Sequence, residues 1–194
     1  HALADGSAGS RRMLERFRFC FTPMPNPDGS AEGRSVSNAL GEVPMFSFDR
    51  AVEGRAAPAE TRFLWEYMAA IRPAGHIEFH THYQDVRSHK LNPMGPQWYG
   101  AAGQARLEQV NQTLLRLNRD WRVTPLTPDL PLVDCGKFAQ MARHLGTLTY
   151  CYQIYALSEE ATCAHAVKAV EALAAGLAGG EWAEDQEAPR IVRG

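Results

Sequence analysis

The chain has 194 residues, 45% of them hydrophobic and 22% charged, with a formal net charge of −2. That length suits one domain, and the composition excludes an intrinsically disordered chain. The small negative charge disfavours a broad electrostatic grip on nucleic acid or anionic lipid. No apolar run approaches the roughly 20 residues needed to cross a bilayer.

The first residues, HALADGSAGS, are small and polar, so residues 1–12 read as a disordered or tag-derived start. Residues 13–181 then form a single domain, and residues 182–194 a polar tail. His1 alone resembles the copper-binding first histidine of the copper monooxygenases that attack polysaccharides. That resemblance would imply a secreted protein. The cysteines point the other way. Cys20, Cys135, Cys151 and Cys163 form no Cys-x-x-Cys pair and read as small buried hydrophobes in a reducing cytoplasm.

In residues 16–21 (RFRFCF), Phe17, Phe19 and Phe21 alternate with polar or small neighbours, which predicts a strand. Pro23, Pro25 and Pro27 end it, and residues 26–41 read as a long loop or a flap. Residues 43–48 read as a short edge strand opened by Pro44. Pro58 suits the start of a helix through Ile71, with Phe63, Leu64, Tyr67, Met68 and Ile71 as its apolar stripe. Residues 84–99 read as a loop. A helix over residues 102–120 follows, its stripe being Leu107, Val110, Leu114, Leu117 and Trp121. Leu132 and Val133 suggest a short strand, and residues 137–145 a short helix closed by Gly146. Residues 147–157 (TLTYCYQIYAL) give the strongest strand signal in the chain. Ser158 then caps a helix with Glu159 and Glu160 in its first turn. This order predicts an α+β fold, a small mixed or antiparallel sheet covered by helices, with a ferredoxin-like arrangement as the specific expectation.

Chemistry concentrates in residues 75–83 (GHIEFHTHY). On a strand, side chains alternate, so His76, Glu78, His80 and His82 share one face and Ile77, Phe79, Thr81 and Tyr83 the other. At about 3.3 Å per residue, His80 and His82 are roughly 6.6 Å apart, near enough for both imidazoles to reach one ion. His76 and His82 are about 20 Å apart, so a single ion cannot take both. The expected metal ligands are therefore His80 and His82, with His89 folding back. Glu78 and Asp85 are the candidate general bases or further ligands. Cys135, Cys151 and His144 are the remote residues that could complete the set. Two histidines with a carboxylate suit zinc or iron.

The His80-Thr81-His82 run with Gly75 resembles the cupin metal strand, although no glutamate follows between Tyr83 and Gln104. It also resembles the His-hydrophobic-His strand of single-strand DNA nicking enzymes, with Thr81 in the hydrophobic place. That second resemblance would ask Tyr99, Tyr152 or Tyr155 to act as nucleophile. Each covers only this strand.

Three functions are open on these residues. The first is a metal-dependent hydrolase or oxygenase that activates water or oxygen on a small-molecule substrate. The second is a non-catalytic subunit with the histidine face against a protein partner or another copy. The third is a metal-dependent processor of single-stranded nucleic acid.

Overall fold

The structure is a computed structural model that describes residues 6–34, 36–81, 90–117, 122–123, 134–154 and 158–179. Seven α-helices are present among these residues: α1 (Ala8–Arg16), α2 (Pro27–Ala31), α3 (Phe48–Val52), α4 (Ala59–Ile71), α5 (Ala101–Leu117), α6 (Lys137–Leu145) and α7 (Glu159–Leu177). Four strands, β1 (Gly75–Thr81), β2 (Lys90–Pro93), β3 (Arg122–Val123) and β4 (Leu148–Ile154), form one sheet in the order β1-β4-β2-β3. β1 runs parallel to β4, β2 antiparallel to β4, and β3 parallel to β2. The fold is α+β with a mixed sheet. The two parallel pairs depart from the antiparallel sheet of a ferredoxin-like arrangement.

β4 sits inside the sheet because both of its faces are used. Leu148, Tyr150, Tyr152 and Ile154 point to one side and join Leu107, Val110 and Leu114 of α5 and Ala169, Ala172 and Leu173 of α7 in the main core. Parallel strands need cover on both faces. The opposite face receives α6, whose Met141 packs on Phe48 of α3 and Met68 of α4. Helices thus lie on both sides of the sheet. α5 and α7 approach closely because Gly176 has no side chain; a Cβ there would lie 3.0 Å from Val110 Cγ1.

Several local expectations yield to tertiary packing. The polar start becomes a helix from Ala8: the Ser7 hydroxyl accepts from Ser10 N at 3.1 Å, and Met13 is buried against Ala174 and Ala175. After it, Phe17, Phe19 and Phe21 are spaced as in a strand, with ring centroids 6.3 and 6.5 Å apart in succession. They form no strand pair among the described residues. Residues 43–48 form a turn of 3-10 helix at Pro44–Phe46 and then enter α3, because Phe48 is drawn into the cluster with Met68 and Met141 and its N–H donates to Cys135 O. β2 arises where a loop is expected. Its Lys-Leu-Asn-Pro sequence has little strand propensity, and pairing with β4 supplies what propensity does not. The strand expected at Leu132 and Val133 and the polar tail lie outside the described residues. All four cysteines are free, but Cys20 and Cys163 are exposed rather than buried.

The segment after Pro25 is knitted, not open. Asn26 accepts from Gly29 N and donates to Ser37 O, both at 3.1 Å, while buried Asn38 accepts from Leu40 N and Glu42 N. A Cβ on buried Gly29 would overlap Ser37 O and the Asn26 amide. Because the obstacle is partly backbone, Gly29→Ala is expected to destabilise the protein by about 1–3 kcal/mol. Urea unfolding checks this; an unchanged midpoint would mean that the segment yields.

Candidate functional site

β1 presents its polar side chains as the alternation requires. Glu78 Oε1 lies 3.1 Å from His80 Nε2, and Glu78 Oε2 lies 4.0 Å from His76 Nε2. The strand register extends this face across the sheet. Glu78 is opposite Cys151, and His80 is opposite Gln153, which is opposite Lys90 of β2. The odd residues go the other way, with Ile77 on the main core and Phe79 edge-on to Tyr152 at 6.2 Å.

α6 makes this polar face tolerable in a folded protein. Lys137, at the start of the helix, forms an ion pair with Glu78, and Phe138 packs its ring 5.8 Å from that of His76. Burial works to raise the Glu78 pKa, but the neighbouring His76 ring, the hydrogen bond from His80 and the Lys137 charge outweigh it and hold the carboxyl far below the usual carboxylate range. The pKa of His76 is pushed down, chiefly by burial. His80 is pushed up to about 10, first by the neighbouring Cys151 side chain and then by its hydrogen bond with Glu78, against the opposing effect of burial.

This cluster predicts a coupled response. The Lys137 and Glu78 side chains are 17% and 33% exposed, so the cost of breaking the pair falls below that of a fully buried one. Lys137→Met is expected to cost about 1–2 kcal/mol, and the double variant with Glu78→Gln about 1 kcal/mol less than the two single losses together. The folded state depresses the Glu78 pKa, so its contribution is present above about pH 4.3 and is lost as pH falls below that. In metal-free protein, the urea midpoint of the wild type should therefore drop more between about pH 5 and pH 3 than that of Glu78→Gln.

Of the expected site residues, Glu78 and His80 meet. His82, Asp85 and His89 lie outside the described residues. Of the remote candidates only Cys151 arrives. Cys135 lies near Asp49 and Arg50, and His144 sits against Trp65 of α4. Lys137 was not anticipated. A lysine in the first turn of a helix opposes the helix dipole, and that local conflict was the available signal. Of the candidate tyrosines, Tyr99 is buried with its hydroxyl accepting from Thr149 N at 3.2 Å, Tyr152 packs on the opposite face from His80, and Tyr155 lies outside the described residues.

Among the described residues no group of three donors can hold a metal ion. What they supply is a histidine whose ring is held through one nitrogen by a carboxylate. Metal-binding histidines are commonly held so, which fixes the ring and leaves the other nitrogen to the ion. That donor chemistry suits one ligand of a metal ion, and the described residues supply no complete set. The position fits too. β1 and β4 run parallel with Thr81 opposite Ile154, so His80 sits at their shared carboxyl end, where open sheets with parallel strands place ligand sites.

No sequence-family model matches the chain, and no curated protein does. Solved structures do. A metallo-carboxypeptidase from Burkholderia cenocepacia superposes with a TM-score of 0.72 at 14% identity, over 90% of this chain and 49% of the other. A metallo-carboxypeptidase from Pseudomonas aeruginosa, solved with (2-guanidinoethylmercapto)succinic acid, superposes with a TM-score of 0.58 at 15% identity, over 79% of this chain and 45% of the other. At these identities the likeness establishes the fold. The chain spans about half the length of the structures it resembles. No described helix is long and apolar enough to cross a membrane.

Proposed function

We propose that this chain belongs to a metal-dependent hydrolase of the carboxypeptidase kind, which removes a residue from the carboxyl end of a peptide. The observation that carries the reading is the Glu78-held His80 at the carboxyl end of β1, in a fold shared with metallo-carboxypeptidases. His80 and His82 bind a divalent metal, zinc before iron, and His89 is the third ligand. When bound, the metal supplies Lewis acidity that activates water and polarises the scissile carbonyl. Glu78 orients His80: its low proton affinity, fixed by Lys137 and the two imidazoles, makes it a poor proton acceptor. Asp85 is then the general base. Gln153 and Lys90, in register beside His80, offer an amide and an ammonium to the substrate's polar groups.

The test is direct. Protein reconstituted with zinc and freed of excess is analysed for metal and incubated with peptides of varied carboxyl-terminal residue. About one zinc per chain and release of the terminal amino acid are expected. A zinc content near zero would overturn the reading, and so would bound zinc with no release from any peptide.

A further inference from the structure

We infer that a cavity between α3 and α4 binds a free α-amino acid with an apolar side chain, Arg62 taking its carboxylate and Glu66 its ammonium. The inference does not depend on the proposed metal site. The cavity has a volume of about 300 Å³. Ala51, Gly54 and Ala56 line it from α3 and the turn that follows, and Arg62, Trp65 and Glu66 line it from α4. The room comes from the small residues. Gly54 turns the chain with φ 70°, in the left-handed region that favours glycine. The cavity is also set apart from the Glu78–His80 cluster. Trp65 stands edge-on to His144 at 6.2 Å, and His144 is about two turns along α6 from Lys137.

The charges choose the ligand. Arg62 and Glu66 are four residues apart on one helix, the spacing at which opposite charges commonly pair. Here they do not. Neither forms an ion pair or a side-chain hydrogen bond among the described residues. Their order contributes, because a basic residue ahead of an acidic one is the weaker arrangement for such a pair. The remaining charge on the cavity is already committed: Arg55 is paired with Asp49 and Glu53. The cavity thus offers one available cation and one available anion. A phosphate would meet Glu66 and a simple amine would meet Arg62, whereas a zwitterion satisfies both. Trp65 is half-buried and packs on the cluster of Phe48, Met68 and Met141, so its indole is a fixed apolar surface for a side chain. Small-molecule sites span roughly 300–1,000 Å³. A cavity at the low end of that range suits a single amino acid better than a nucleotide or an extended peptide.

The probes are L-phenylalanine and L-leucine, titrated into metal-free protein by calorimetry and added in thermal unfolding. Binding is expected, with a rise in unfolding temperature. Arg62→Gln and Glu66→Gln should each weaken it about tenfold or more, the usual loss for one charge-assisted contact. Both side chains are exposed, so both variants should fold. N-acetyl-L-phenylalanine, which lacks the ammonium, and L-phenylalaninamide, which lacks the carboxylate, should bind similarly weakly. A free amino acid is also what the proposed hydrolase would release, so the variant with His80→Ala and His82→Ala is the control, and it should bind as the wild type does. Neither heat nor a shift in unfolding temperature with either amino acid would overturn the inference. Binding lost with the two histidines would overturn it too, by placing the amino acid at the proposed metal site. N-acetyl-L-phenylalanine binding as tightly as L-phenylalanine would reduce the cavity to an anion site and overturn the zwitterion. None of these outcomes touches zinc content or peptide cleavage, so the proposed hydrolase stands or falls by its own test.

Discussion

Alanine at both His80 and His82 is expected to raise the zinc dissociation constant by well over a hundredfold, whereas Glu78→Gln should raise it only about 10–100-fold. The ordering follows from what each side chain does. In the proposed site the histidines donate to the ion itself, and their loss would remove two of its bonds. Glu78 acts through the His80 ring, and losing such an orienting partner typically costs that smaller factor. Glutamine keeps the shape and can still accept from His80, but it forfeits the charge that makes the imidazole a better donor. Competition against a chromophoric chelator measures all three proteins. The fold should survive the histidine changes, because Glu78 retains its ion pair with Lys137 and the main-core side chains of β4 lie on the other face of the sheet. Equal affinities for the wild type and the double variant would place the metal elsewhere. A larger loss from Glu78→Gln than from the double variant would make Glu78 a ligand.

The sequence made the site's strand legible and left its surroundings obscure, for physical reasons. Period-two alternation is a local property of backbone geometry, so the shared face of His76, Glu78 and His80 could be read directly. α6 was legible to the residue because Gly146 stops it, in the left-handed conformation with φ 68°. The strand TLTYCYQIYAL announced β4 through its aromatic and branched residues. What stayed hidden was set by partners far away in the chain. β2 exists because β4 offers it an edge, and its own four residues carry no strand signal. Residues 43–48 alternate like a strand, yet the burial of Phe48 between α4 and α6 settles them as helix. The place of Cys151 opposite Glu78 depends on the register of β1 against β4, and a shift of one residue would have sent the thiol to the opposite face. Single-chain patterning contains no such register.

That register is held from the opposite side of the sheet, and Tyr152→Ala should expose how much. Tyr152 is fully buried between Cys151 and Gln153, opposite Phe79 on one neighbour and Leu91 on the other, with its ring edge-on to Phe79. Removing an aromatic ring from such a place costs about 3–5 kcal/mol, a large share of the 5–15 kcal/mol that holds a domain together. Urea unfolding of the metal-free protein measures that loss, and a cost below about 1 kcal/mol would show that the core collapses around the gap. The weakened protein then becomes a sensitive reporter of the polar face. A ligand bound only by the folded state adds about 2.7 kcal/mol at a hundred times its dissociation constant. Zinc should therefore restore much of the stability that Tyr152→Ala loses, and it should fail to do so when His80→Ala is added. Restoration that persists without His80 would mean that zinc stabilises the chain at another place.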